Sequence, residues 1–196
     1  FATKSVRYDV LKNFDRVTSI ASRISNQIPS KTGSDQFIAF SWRVINVYSM
    51  LLVLYGDRPT IGRIRSNVEI GIEPLLEKSL IHYFDYVRPN EWLNQCAKYV
   101  DMAKNDKIAR PSKMTSDRLT GYVEYYKREL SPTMPSDAIE AGINLYSHDR
   151  AHFGKMISSL MPTLAMLDAG EVGGLLSPKY DDINDHRPIY DSDKVV

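Results

Sequence analysis

Apolar residues recur along the first 170 positions at steps of three and four, the spacing that lines one face of an α-helix. The strict alternation of a half-buried strand does not occur there. Val10, Phe14, Val17, Ala21, Ile24 and Ile28 make the first stripe, which Pro29 and Gly33 stop. A second helix is expected over 36–55, started near Ser34 or Asp35 and ended by Gly56. It is apolar nearly all round, from Phe37 and Trp42 to Leu51, Leu52 and Leu54, which marks a helix central to its domain. Thr60 is the N-cap of a short basic helix carrying Arg63 and Arg65, and Pro74 opens or kinks another whose buried side is Leu75, Leu76, Leu80, Ile81 and Phe84.

After Pro89 the spacing resumes with Trp92, Leu93, Cys96, Tyr99, Val100 and Ala103. The basic stretch 104–116, with Pro111 and Ser112, reads as an exposed connector, and Thr115 or Ser116 caps a helix that buries Leu119, Tyr122, Val123 and Tyr126. A turn at 131–135 precedes the longest expected helix, 136–169, apolar from Ile139 to Leu167, kinked by Pro162 and closed by Gly170 in the left-handed conformation. Beyond it, glycines, Ser177-Pro178 and an acid-rich loop lead to Ile189-Tyr190, so only the tail looks like an approach to a sheet. The expected architecture is all-α, a multi-helix bundle of about six to eight helices with an irregular C-terminal tail. Its divisions are an N-terminal connection over 1–7, an all-α domain over 8–170 and an acidic linker over 171–196.

The chain has 196 residues, 43% of them hydrophobic, enough to bury a substantial core and to exclude disorder as its main state. Its single cysteine, Cys96, forms no disulfide or cysteine-based zinc site within the chain and lies on an apolar stripe, so a buried inert thiol is expected. The longest strongly apolar run, 44–55, is about a dozen residues against the roughly 20 that span a bilayer, and is read as a core helix. The abrupt Phe1-Ala2-Thr3 start, without an initiator Met or a charged-then-apolar leader, reads as that of a piece of a longer protein.

A net charge of +1 argues against a dedicated nucleic-acid coat or a polybasic membrane binder. That neutrality hides an asymmetry, because residues 168–196 hold seven acids against three bases and leave the preceding 167 residues at +5. Basic residues gather at Lys104, Lys107, Arg110, Lys113 and Arg118, with Tyr99, Tyr122, Tyr125 and Tyr126 interleaved, and in a smaller group at Arg58, Arg63 and Arg65. Such groups can follow a phosphate backbone while tyrosines stack on bases, so these cations and Tyr122 are the candidates for nucleic-acid or partner binding.

Catalytic motifs are harder to find. No phosphate loop and no G-x-G-x-x-G occurs, and the Walker B-like run ending at Asp168 continues a helical pattern. His148 and His152 fit H-x-x-x-H at helical spacing, but Asp149 stands where a metalloprotease needs Glu, and His82 and His186 are the remaining histidines. No Ser, Thr or Cys nucleophile is assignable, and neither a catalytic residue nor a metal ligand is expected in this chain.

The last helix and its exit carry a resemblance. The run from Asp149-Arg150-Ala151-His152-Phe153-Gly154-Lys155 to Met161-Pro162, then Gly173-Gly174-Leu175-Leu176-Ser177-Pro178, then Asp185-His186-Arg187-Pro188-Ile189, resembles the conjugative coupling proteins of the TraD/TraG type. The resemblance covers most of the chain, although 86–135 matches only in helical character. It implies the all-α domain inserted in the RecA-like hexameric ATPase of a type IV secretion system. On that reading it is a cytoplasmic domain of a bacterial inner-membrane-associated protein and takes part in recognising the relaxase and relaxosome, or secreted effectors. Its partners would be the parent motor domain, those cargo proteins and DNA, with no membrane contact of its own. ATP and magnesium would bind the parent motor and no cofactor this piece, which is expected to be monomeric. Two other readings come from the residues: a stand-alone helical DNA-binding protein of a mobile element, and a metal-dependent hydrolase using His148 and His152.

Overall fold

Five stretches of chain, 7–28, 35–111, 115–148, 150–176 and 189–190, are described by the computed structural model. Among these residues there are nine α-helices and one pair of two-residue strands, an all-helical architecture. The chain divides into two compact units: Phe1–Asn46 with Pro59–Glu69 and Gly154–Val196, and Val47–Arg58 with Ile70–Phe153. The hydrophobic periodicity alone gives no sign of this division.

In the first unit, β1 (Arg7–Tyr8) leads to a turn and then to α1 (Val17–Ser25). The helix therefore starts well after Val10, where the stripe of apolar residues placed it. Asp9 captures the local backbone, its Oδ1 accepting the Leu11 N–H at 2.9 Å and its carbonyl the Lys12 N–H at 3.1 Å, a side-chain turn that competes with helix. Arg23 on α1 secures this turn by donating to the carbonyls of Val10 and Asn13.

α2 (Asp35–Leu54) ends where Gly56 takes φ +84°, a conformation open to glycine at little cost. Its segment 36–54 has a mean hydropathy of 1.7 and is long enough by composition to cross a membrane, although the 44–55 run alone is not. Val44, Ile45, Tyr48 and Leu51 are wholly buried in the protein, the arrangement of a core helix. In the first unit Trp42 Nε1 donates to Ser22 Oγ of α1 at 3.0 Å. There too, Thr60 caps α3 (Ile61–Ile70) by accepting the Arg63 N–H at 3.3 Å.

The second unit holds α4 (Ile72–Val87), α5 (Trp92–Lys104), α6 (Asp117–Tyr125) and α7 (Asp137–Tyr146). Pro74 sits in the first turn of α4, where its missing N–H is no loss. Ser116 caps α6, its Oγ accepting the Leu119 N–H at 3.1 Å. A π-helical turn, Tyr126–Leu130, continues α6, closed by Ser131 N–H on the Tyr126 carbonyl at 2.8 Å.

The single long helix expected over 136–169 is two helices, α7 and α8 (Arg150–Asp168). The interruption follows Tyr146, where Ser147 Oγ donates back to the Ile143 carbonyl at 2.8 Å and occupies an acceptor at the end of α7. Pro162 lies inside α8 without ending it. Gly170 has φ +60°, as anticipated, but the tail beyond is not irregular from that point, because α9 (Gly170–Leu176) follows. β2 (Ile189–Tyr190) then pairs parallel with β1, Arg7 opposite Ile189 and Tyr8 opposite Tyr190. The acidic loop, 177–188, lies outside the described residues, as do 191–196.

Candidate functional site

The basic candidates fall in two places. Arg63 and Arg65 stand on α3 in the first unit, whereas Arg58, Lys104, Lys107, Arg110, Arg118 and Tyr122 belong to the second; Lys113 lies outside the described residues. In the first unit, Arg65 Nη1 meets Asp168 Oδ2 at the end of α8 at 3.1 Å, so the Walker B-like acid serves as an ion-pair partner between two helices. Arg58 is exposed in the turn after Gly56, its N–H donating to Asp57 Oδ1 at 3.0 Å.

Arg110 is the most heavily engaged cation of the second unit. Nη2 donates to the Ala103 carbonyl at 2.8 Å and pairs with Asp106 Oδ1 at 2.9 Å, while Nη1 pairs with Asp117 Oδ1 at 2.7 Å. It thereby ties the end of α5, the connector and the first residue of α6 together. Lys104 pairs with Asp101 at 3.1 Å, Arg118 with Glu77 of α4, and Arg128 with Glu124 one turn back. Lys107 is exposed. Counted over its full range, this unit has twelve Lys and Arg against thirteen Asp and Glu, so the basic run sits in a body with no positive excess.

The interleaved tyrosines are core residues. Tyr122 is 8% exposed, with its ring edge-on to Phe84 at 6.0 Å and to Trp92 at 5.6 Å, and is not presented for stacking on a base. Tyr99, Tyr125 and Tyr126 are buried with it. Their hydroxyls are held inside the unit: Tyr125 donates to Gln95 Oε1 at 2.9 Å, Tyr99 to Glu129, and Tyr126 accepts the Ser136 N–H at 2.8 Å. The Tyr99 hydroxyl and the Lys98 ammonium together hold the Glu129 carboxyl below the usual carboxylate range. The tyrosines interleaved with the basic residues, three and four positions apart at 122, 125 and 126, have the spacing of a buried helical face.

Among the described residues no group of three or more His, Cys, Asp or Glu is placed to hold a metal. His148 is exposed after the end of α7; Asp149, His186 and the side chain of His152 lie outside the described residues. Cys96 is 1% exposed, and burial pushes its thiol up to about 12. At pH 8 the intact protein is expected to react with Ellman's reagent roughly a thousandfold more slowly than after unfolding in guanidinium, because almost none of the thiol is ionised.

No family model, curated protein or solved structure matches the chain. Three features of the site escaped the sequence reading: the role of Arg110 as a clasp, the π-helical turn after Tyr125, and the pairing of β1 with β2. Arg110 gave a signal, since Asp106 and Asp117 flank it at helical distances, but nothing local marks the other two.

Proposed function

We propose that this chain is a non-catalytic recognition domain inserted in a conjugative coupling ATPase of a type IV secretion system, and that it recruits a protein component of the cargo rather than nucleic acid. The observation that carries this reading is the parallel pairing of β1 with β2 around the intervening helical body. A parallel pair needs a crossover between its strands, and here nine helices supply it. Two-residue parallel strands do not make a stable sheet by themselves, because parallel sheets are built from several strands with both faces covered. The pair therefore fits the rim of a larger parallel sheet in a parent domain, such as a RecA-like motor, from which the helices are an excursion. ATP and magnesium would belong to that parent.

The preference for protein rests on the second unit. Lys104, Arg110, Arg118 and Arg128 are engaged with carboxylates, the unit's charges balance, and Tyr99, Tyr122, Tyr125 and Tyr126 face inward, which leaves little of the apparatus that follows a phosphate backbone. The test is a binding measurement on the purified chain. Immobilised chain is expected to bind a relaxase or relaxosome protein of a conjugative element saturably, with dissociation constants in the micromolar range. Labelled single- and double-stranded DNA should bind only weakly at physiological salt. Tight DNA binding that falls steeply with salt, with no binding of those proteins, would replace this reading with that of a DNA-binding protein.

A further inference from the structure

One face of α4 presents Lys78, His82 and Tyr86, each four residues from the next and so aligned along successive turns. All three are exposed, and Tyr86, at 83%, is the most exposed large hydrophobic side chain among the described residues. Tyr55, 39% exposed just beyond α2, lies against the same row. Its ring meets the His82 imidazole nearly edge-on with centroids 6.1 Å apart, and the Lys78 ammonium stands 5.9 Å from its centre. Isolated exposed aromatics are ordinary, but neighbouring ones held in contact at the surface mark a place of interaction.

The charge on this row is not balanced locally. Glu77, next to Lys78 in the chain, is paired with Arg118 of α6, and Asp85, next to Tyr86, accepts the Trp92 indole N–H at 2.6 Å. Asp57 and Arg58, in the turn beyond Tyr55, contribute one charge of each sign. Lys104, Arg110, Arg118 and Arg128 of this unit each meet a carboxylate, whereas Lys78 has no ion pair among the described residues and meets the Tyr55 ring instead.

Those features select the occupant. A second copy pairing through the same row would bring no carboxylate to Lys78, because the row carries none. A phosphate backbone is followed by several cations along its path, and this row offers one lysine. A polypeptide that brings carboxylates to Lys78 and a ring to pack edge-on with Tyr55 and Tyr86 complements both halves of the surface. We propose that the Lys78, His82 and Tyr86 face of α4, together with Tyr55, is a docking surface for an acidic polypeptide segment that carries aromatic side chains. The inference rests on the reading of this chain as a recruiter of protein, to which it adds the surface and the chemistry of the partner.

Fluorescence anisotropy on the whole chain tests it with a labelled peptide of about ten residues, Glu and Asp with Phe interspersed. The comparisons are the same peptide with Ala for Phe, the same peptide with Lys for the acids, and a labelled oligothymidylate of equal length. Saturable binding of the acidic aromatic peptide is expected with a Kd of about 10–100 μM, weakened about tenfold by Tyr86→Ala and by Lys78→Gln. Both substitutions change exposed side chains, and circular dichroism checks that the variants stay folded. The proposal is overturned if the peptide does not bind saturably up to about 1 mM, if either altered peptide binds as well as it does, or if either variant binds as the parent does. Tighter binding of the oligothymidylate, weakened by the same substitutions, also overturns it and gives the face to nucleic acid. A relaxosome protein that binds the parent and the Tyr86→Ala chain alike removes this surface and leaves the recruiting reading in place. Peptide binding weakened by both substitutions, with no relaxosome protein bound, keeps the surface and removes that reading.

Discussion

A Gly121→Val chain is expected to lose about 3 kcal/mol or more of unfolding free energy, measured by urea denaturation at constant pH. Gly121 lies in α6, where a Cβ would stand 2.6 Å from the backbone N and Cα of Val100 in α5, and 2.7 Å from its Cγ2. Those are backbone atoms in the middle of a helix, and they cannot swing aside as the tip of a lysine could. Relief requires α5 and α6 to separate along their contact, which would disturb Cys96, whose Sγ sits 4.0 Å from the Gly121 carbonyl. Gly154→Ala supplies the opposite sign. A Cβ there meets nothing within 4 Å, and alanine is the better helix former, so a gain of up to about 1 kcal/mol is expected inside α8. A Gly121→Val chain within about 0.5 kcal/mol of the parent would mean that α5 and α6 do not approach this closely.

Gly121 also shows where sequence reading stops. The helices of the second unit were legible because each repeats apolar residues every three or four positions, and Leu75, Leu80, Phe84, Cys96, Tyr99, Leu119 and Leu130 or their neighbours fill the interior as that pattern requires. The stops at Gly56, Pro89 and Gly170 were legible for local reasons too, the two glycines taking positive φ and the proline disfavouring helix at Arg88 before it. What one helix does to another is not local. Nothing around Gly121 in the chain reveals that Val100 lies against it, and a glycine within a helical stripe reads only as a weak helix former.

The errors at element ends have a similar origin. Val10 and Phe14 continue the stripe of α1 in register, yet the Asp9 side chain and the two donors of Arg23 hold that backbone in a turn. Ser147 interrupts a stretch whose apolar spacing runs on to Leu167. In both places side-chain hydrogen bonds to the backbone, three at the first and one at the second, outweigh a periodicity that is small per residue. The candidate site was misjudged for a further reason. Tyrosine spaced by three and four next to lysine and arginine is compatible with a wet, basic face and with a buried aromatic seam whose hydroxyls find partners, and composition does not separate the two. Only the burial of Tyr122, Tyr125 and Tyr126 and the carboxylates beside Arg110 and Arg118 decide for the second.

That seam carries the other large effect. Phe84→Ala is expected to cost about 3–5 kcal/mol, read from denaturant midpoints followed by circular dichroism, because the site has little means to collapse. Phe84 is fully buried on α4, its ring centroid 5.1 Å from Tyr125, 5.3 Å from Trp92 and 6.0 Å from Tyr122, mostly edge-on. Those neighbours come from two helices, α5 and α6, and two of them are pinned at their far ends, Trp92 Nε1 on Asp85 Oδ1 at 2.6 Å and the Tyr125 hydroxyl on Gln95. Rings held by hydrogen bonds at their rims cannot slide into a vacancy without breaking them, so the variant keeps a cavity as well as losing the transferred surface. Trp92 reports this directly: its emission should shift to the red as water reaches the space beside it. Tyr86→Ala, two residues along the same helix and 83% exposed, is expected to change stability by less than about 0.5 kcal/mol. Equal losses for the two variants would place Phe84 outside the core and remove the reason for reading the tyrosine-rich segment as interior.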